Sequence, residues 1–142
     1  MFNAITVEAT FHLAHAIKQQ LSHQLESQDL GIASMHVRVL KVIGKSNAST
    51  AKEIAELFKR DKAQITRLIN QLIDQGIVQR KPNPDDKRSQ LLELTSSGQA
   101  LQEILRTLSD EMESKMTQGI EAEDLATFTK VAQNMTKNLI RY

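Results

Sequence analysis

The sequence predicts a mainly α-helical chain carrying one small β-wing, and three observations support that prediction. The 142-residue chain is 40% hydrophobic but only 4% aromatic, with no Trp and no Cys, so its core is drawn from Leu, Ile, Val, Ala and Met. That palette favours helices over a β-sandwich. Apolar residues recur at helical spacing along most of the chain. The pattern changes to short strand-like alternation only around Pro82 and Pro84, on either side of a charged loop.

Taken in order, Val7, Phe11, Ala14, Ile17, Leu21 and Leu25 form the stripe of a first amphipathic helix, broken at Asp29-Leu-Gly31. Ser34 is the expected cap of a second helix bearing Val37, Leu40 and Ile43 and stopping at Gly44. Asn47-Ala-Ser-Thr50 reads as a turn. Thr50 followed by Glu53 has the spacing of a capping box for a short helix with Ile54, Ala55, Leu57 and Phe58. A further helix over 61–75 carries Ile65, Leu68, Ile69, Leu72 and Ile73 on one side and ends at Gly76 as a left-handed cap. Two helices in such close succession, sharing an apolar side, predict a helix-turn-helix. Ile77–Arg80 and Gln90–Leu94 are the expected strands of a hairpin around the Pro82–Asp86 loop, which completes a winged helix. Two more stripes follow. One runs from Leu101 to Met116, and the other from Leu125 to Leu139 after a break near Gly119.

At 16.0 kDa the chain has room for one domain, not two. Its net charge of +1 hides a segment, Lys59 to Arg88, in which eight bases face four acids. Positive charge gathered in this way is a footprint for a polyanion. The outward side of the 61–75 helix offers Lys62, Ala63, Gln64, Thr66, Arg67, Asn70, Gln71 and Asp74. A helix that reads double-stranded DNA needs such groups: amides that pair with adenine edges, a guanidinium for guanine or phosphate, and a small residue allowing close approach. Arg80 and Lys81 lead into the hairpin, and Asp86, Lys87 and Arg88 lead out of it. An Arg at a hairpin tip suits a narrow minor groove, with the Asp86 carboxylate as its orienter.

These residues carry a resemblance. The runs Ala51-Lys-Glu-Ile-Ala-Glu-Leu57, Ala63-Gln-Ile-Thr-Arg-Leu-Ile69, Leu72-Ile-Asp-Gln-Gly76-Ile-Val-Gln-Arg80, Asp85-Asp-Lys-Arg88 and Leu94-Thr-Ser-Ser-Gly98 resemble, in order and spacing, the MarR family of bacterial regulators. The resemblance spans essentially the whole chain. It implies a homodimeric winged helix-turn-helix transcription factor, expected to be a repressor, whose DNA affinity changes when a small molecule binds. Lys62, Ala63, Gln64, Thr66, Arg67 and Asn70 would then lie along the major groove, and Arg88 would enter the minor groove. At Ala63-Gln64 the chain departs from the family's more usual Ser or Thr pair, which bears on base choice and not on docking.

The expected organisation is a DNA-binding lobe over about 32–98, flanked by helical dimerisation regions at 1–30 and 99–142. Phe11, His15 and His36 are candidates for the lining of an effector pocket between helices. Of His12, His15, His23 and His36, the first two share a helix face with Glu8 one turn from His12, but without cysteine or a His-x-x-x-His pair neither metal nor cofactor is expected. Other readings are a protein-interaction module and a metal-responsive regulator. No phosphate loop or catalytic constellation is present, which argues against an enzyme. The N-terminus lacks a secretory pattern and no stretch approaches the ~18 apolar residues of a membrane span. The expectation is a soluble cytoplasmic protein, and the lack of cysteine suits a reducing compartment.

Overall fold

A computed structural model describes residues 4–46 and 49–140. The element order is α1 (Ile5–Ser27), α2 (Ser34–Ser46), α3 (Ala51–Phe58), α4 (Lys62–Asp74), β1 (Val78–Pro82), β2 (Gln90–Leu94), α5 (Ser96–Met116) and α6 (Ala122–Leu139). The fold is a winged helix-turn-helix with additional helices at both ends, as the periodicity predicts.

The chain divides after Leu108 into two packed units. The core of the first is aliphatic. Val39, Ile43, Ile54, Ile65 and Leu72 have no exposed surface, and Leu40, Ile69, Val78 and Leu92 are nearly as buried. Each side chain buried this fully contributes about 1.5–3 kcal/mol relative to an exposed one. Arg38 of α2 lies over the Phe58 ring, 4.8 Å from its centroid, and braces α2 against α3. In the second unit, formed by the end of α5 and by α6, no described residue is fully buried. Met116, Ile120, Phe128, Val131, Leu139 and Ile140 are all exposed on the isolated chain.

Helix ends explain several of the sequence signals. The Glu53 N–H donates to Thr50 Oγ1 at 3.2 Å, which is the Thr50 half of the expected capping box. Gly76 adopts φ +74°, and the Gly76 and Ile77 amides close back on the Ile73 and Leu72 carbonyls at 2.9 and 3.0 Å. This paired closure needs a left-handed residue, which glycine supplies without steric cost. Lys59 makes the same turn after α3 at φ 51°. Thr95 caps α5, where its hydroxyl donates to the Gly76 carbonyl at 2.5 Å and accepts the Gly98 N–H at 3.0 Å. A Cβ on Gly98 would collide with the Ile77 carbonyl oxygen, so the Leu-Thr-x-x-Gly run is the footprint of α5 packing tightly on the start of the wing.

Three local expectations are corrected. Ser34 is the first residue of α2 and not its cap, because the Val37 N–H already bonds to the Ala33 carbonyl at 3.2 Å. The free Ala33 N–H is taken by His36 Nδ1 at 3.0 Å. Helix α2 also runs through Gly44 to Ser46, and the Gln102 amide occupies the place of the missing side chain. Pro82 is the last residue of β1 and not part of the loop. Part of the expected turn after α2, residues 47 and 48, lies outside the described residues. Its end, Ser49, is buried and pairs with Leu92, its carbonyl accepting the Leu92 N–H at 2.9 Å.

Candidate nucleic-acid interface

Helix α4 owes its position to its apolar side. Ile65, Ile69 and Leu72 are buried, with Leu68 and Ile73 half-buried beside them. That anchoring turns Lys62, Ala63, Gln64, Arg67, Asn70 and Gln71 outward, all of them exposed, while Thr66 is half-buried at the margin. Among the described residues, no hydrogen bond or ion pair holds the side chains of Lys62, Gln64 or Arg67.

The two outward amides further along α4 are held. Arg80 Nη2 donates to Asn70 Oδ1 at 2.6 Å. Gln71 Oε1 lies 2.7 Å from His36 Nε2. Since His36 Nδ1 accepts the Ala33 amide, a neutral ring must carry its proton on Nε2 and donate to Gln71. His36 thus links the N-terminus of α2 to α4. Phe11 and His15, by contrast, stand exposed on α1. Neither link is visible as a motif, since the partners lie 35 and 10 residues apart in the chain.

The wing is an antiparallel pair with Val78 opposite Leu94, Arg80 opposite Leu92, and Pro82 opposite Gln90. Strand alternation gives it two unlike faces. Val78, Leu92 and Leu94 are buried on the face that Arg80 shares. On the other face Gln79 and Lys81 converge on Glu93, with Gln79 Nε2 at 2.7 Å and Lys81 Nζ at 3.1 Å from its carboxylate. The Lys81 bond foremost, and then that of Gln79, hold the Glu93 carboxyl below its ordinary range. Lys81 is therefore partly neutralised by Glu93, which sits diagonal to it on the neighbouring strand.

At the tip, short polar side chains replace the hydrogen bonds that the prolines forbid. Asn83 Oδ1 accepts the Asp85 N–H at 3.0 Å, and Asn83 Nδ2 donates to Ser89 Oγ at 3.0 Å. Asp86 Oδ1 accepts the Arg88 N–H at 3.0 Å and stands 3.6 Å from Arg88 Nε. Asp86 thus fixes the backbone beneath Arg88 more firmly than its guanidinium, and the Arg88 side chain is 94% exposed. Lys87 beside it is exposed as well.

Between the start of α3, α4 and the wing lies a concavity of about 250 Å³, lined among others by Lys52, Lys62, Thr66, Arg80, Arg88 and Gln90. Four cationic side chains from three elements thus border one recess. Lys62, Arg80 and Arg88 are expected from the sequence. Lys52 is not, because its place in the first turn of a partner helix carries no local sign of the wing approaching it.

The chain has measurable relatives. Residues 30–89 match the model of the MarR family. The multiple antibiotic resistance protein MarR of Escherichia coli is 30% identical over 129 residues, which cover 89% of each chain. A crystal structure of a mutant of that protein complexed with operator DNA superposes with a TM-score of 0.78 at 26% identity, covering 92% of this chain and 94% of that one. The structure of Streptococcus pneumoniae FabT in complex with DNA matches with a TM-score of 0.84 at 21% identity, covering 94% of both chains.

Proposed function

Because the chain belongs to the MarR family, we propose that it is a DNA-binding transcriptional regulator that acts as a homodimer on a pseudopalindromic operator. The observation that carries this reading is the recess in which Lys52, Lys62, Arg80 and Arg88 converge beside the unpaired Gln64 and Arg67 of α4. In it, α4 enters the major groove and phosphates run along the border that Lys52 and Lys62 form. Arg88, on its Asp86-shaped turn and beside Lys87, reaches the neighbouring minor groove. Two copies related by a two-fold axis would place their α4 helices about one helical turn apart, ~34 Å.

The dimer is supported by the exposed apolar residues outside the lobe, namely Ile5, Val7 and Phe11 on α1 and Phe128, Val131 and Leu139 on α6. Surfaces of this kind mark association sites when they are contiguous. We further propose repression in the cytoplasm, relieved by a small-molecule effector, with Phe11 and His15 lining its site in the dimer. His36 would transmit its binding to α4 through Gln71. Among the described residues, no helix is long and apolar enough to cross a membrane.

The test is binding to duplexes from the protein's own upstream region across a salt series. The reading requires a palindromic footprint and a steep fall of log affinity with log salt. Arg67→Ala is expected to lose about 1–3 kcal/mol of binding and to relax base choice at one position per half-site. Arg88→Ala is expected to weaken binding with less change in preference. Unaltered affinity in both variants would sink the docking.

A further inference from the structure

Resting on α4 as the groove-reading helix, we infer that Arg80 is a positioning residue that fixes the hydrogen-bond polarity of Asn70, so that Asn70 selects guanine over adenine. An asparagine free to orient its amide pairs with adenine, since its oxygen accepts from N6 while its NH₂ donates to N7. Asn70 is not free in this way. Its Oδ1 accepts from Arg80 Nη2 at 2.6 Å. A guanidinium has five donors and no acceptor, so only the oxygen of the amide can face it. The bond is charge-assisted and short. It occupies one lone pair of Oδ1 and sets a positive charge against the approach of a second donor such as the adenine amino group.

The wing imposes this arrangement. Arg80 lies on the face of β1 shared by buried Val78, opposite buried Leu92. Gln79 and Lys81 are spent on Glu93 on the reverse face. Strand alternation therefore aims Arg80, and neither neighbour, at α4. What remains of Asn70 on the exposed side is an NH₂ with two donors. Guanine offers two adjacent acceptors, N7 and O6, to such a group, whereas adenine pairs one acceptor with a competing donor.

The experiment selects operators from random duplexes with the full chain, then measures Kd for all four base pairs at the position whose preference Asn70→Ala flattens. The wild type is expected to favour guanine over adenine there by on the order of tenfold. Arg80→Met releases Oδ1 and is expected to shift that ratio toward adenine. Arg80→Lys, still a donor without an acceptor, is expected to keep the guanine preference. The double variant Asn70→Ala/Arg80→Met is expected to be as flat as Asn70→Ala alone. An adenine preference in the wild type would overturn the inference. So would an Arg80→Met variant that weakens all four sites equally, as loss of a phosphate contact or a structural brace would. A wild-type chain with no sequence preference on any duplex would overturn the groove-reading proposal itself, and this inference with it.

Discussion

Helices α4 and α6 are built alike in sequence, each with branched or aromatic apolar residues on one stripe and polar residues on the other. Their environments are opposite. Ile65, Ile69 and Leu72 of α4 are 0–1% exposed, whereas α6 buries no residue, and its Phe128 and Val131 are 54% and 46% exposed. The contrast teaches that amphipathicity announces a partner without naming it. For α4 the partner is the chain's own core. For α6 the apolar stripe stays uncovered on the single chain, which supports a second copy as the proposed cover. One region folds the protein, and the other would assemble it.

Truncating the core is the hardest test of that division. Leu72→Ala is expected to cost about 2–5 kcal/mol of stability, read by urea or thermal unfolding, because a fully buried leucine leaves a cavity the neighbours cannot fill. Phe128→Ala is expected to leave the lobe's unfolding nearly unchanged. It should instead weaken self-association by about 2 kcal/mol, roughly thirtyfold, in sedimentation over a concentration series. A Phe128→Ala protein that unfolds earlier at every concentration while its association stays constant would break the comparison. Thr50→Ala is a smaller lever inside the lobe. Losing the cap on the Glu53 amide is expected to cost about 1 kcal/mol.

The parts legible in the sequence are those whose causes are local. The order of the elements follows from periodicity, the left-handed closure at Gly76 from a residue without a side chain, and the Thr50 cap from a three-residue spacing. The end of α2 was not legible, because the role of Gly44 is tertiary: it leaves room for the Gln102 side chain and does not end the helix. Nor was its start, where His36 reaches back from the first turn to accept the Ala33 N–H and Ser34 makes no cap. The interface divides the same way. Which residues of α4 face outward could be read from 3.6-residue geometry. That Asn70 is gripped by Arg80 and Gln71 by His36 depends on where the wing and α2 come to rest, and no short window of sequence records it.

The smallest expected effect separates the wing's two faces. Glu93 is shared by Lys81 first and Gln79 second, and these bonds outweigh the opposing effect of its partial burial. Its folded pKa therefore lies below the ordinary value near 4.5. A depressed carboxylate contributes stability that is present above the unfolded pKa and lost as pH falls through the folded one. The wild-type wing should thus lose this contribution only in acid, below about pH 4.5. Glu93→Gln should remove the dependence and cost slightly at neutral pH, as read by unfolding between pH 3 and pH 7 (the range about the ordinary carboxylate pKa). The same substitution releases the Lys81 ammonium from its 3.1 Å partner. If the reverse face of the wing lies near phosphate, the salt slope of DNA binding steepens by about one counterion. If that face only braces the hairpin while Arg80 positions Asn70 and Arg88 meets the DNA, the slope stays where it is. The second outcome follows from the two-faced wing and is the one expected.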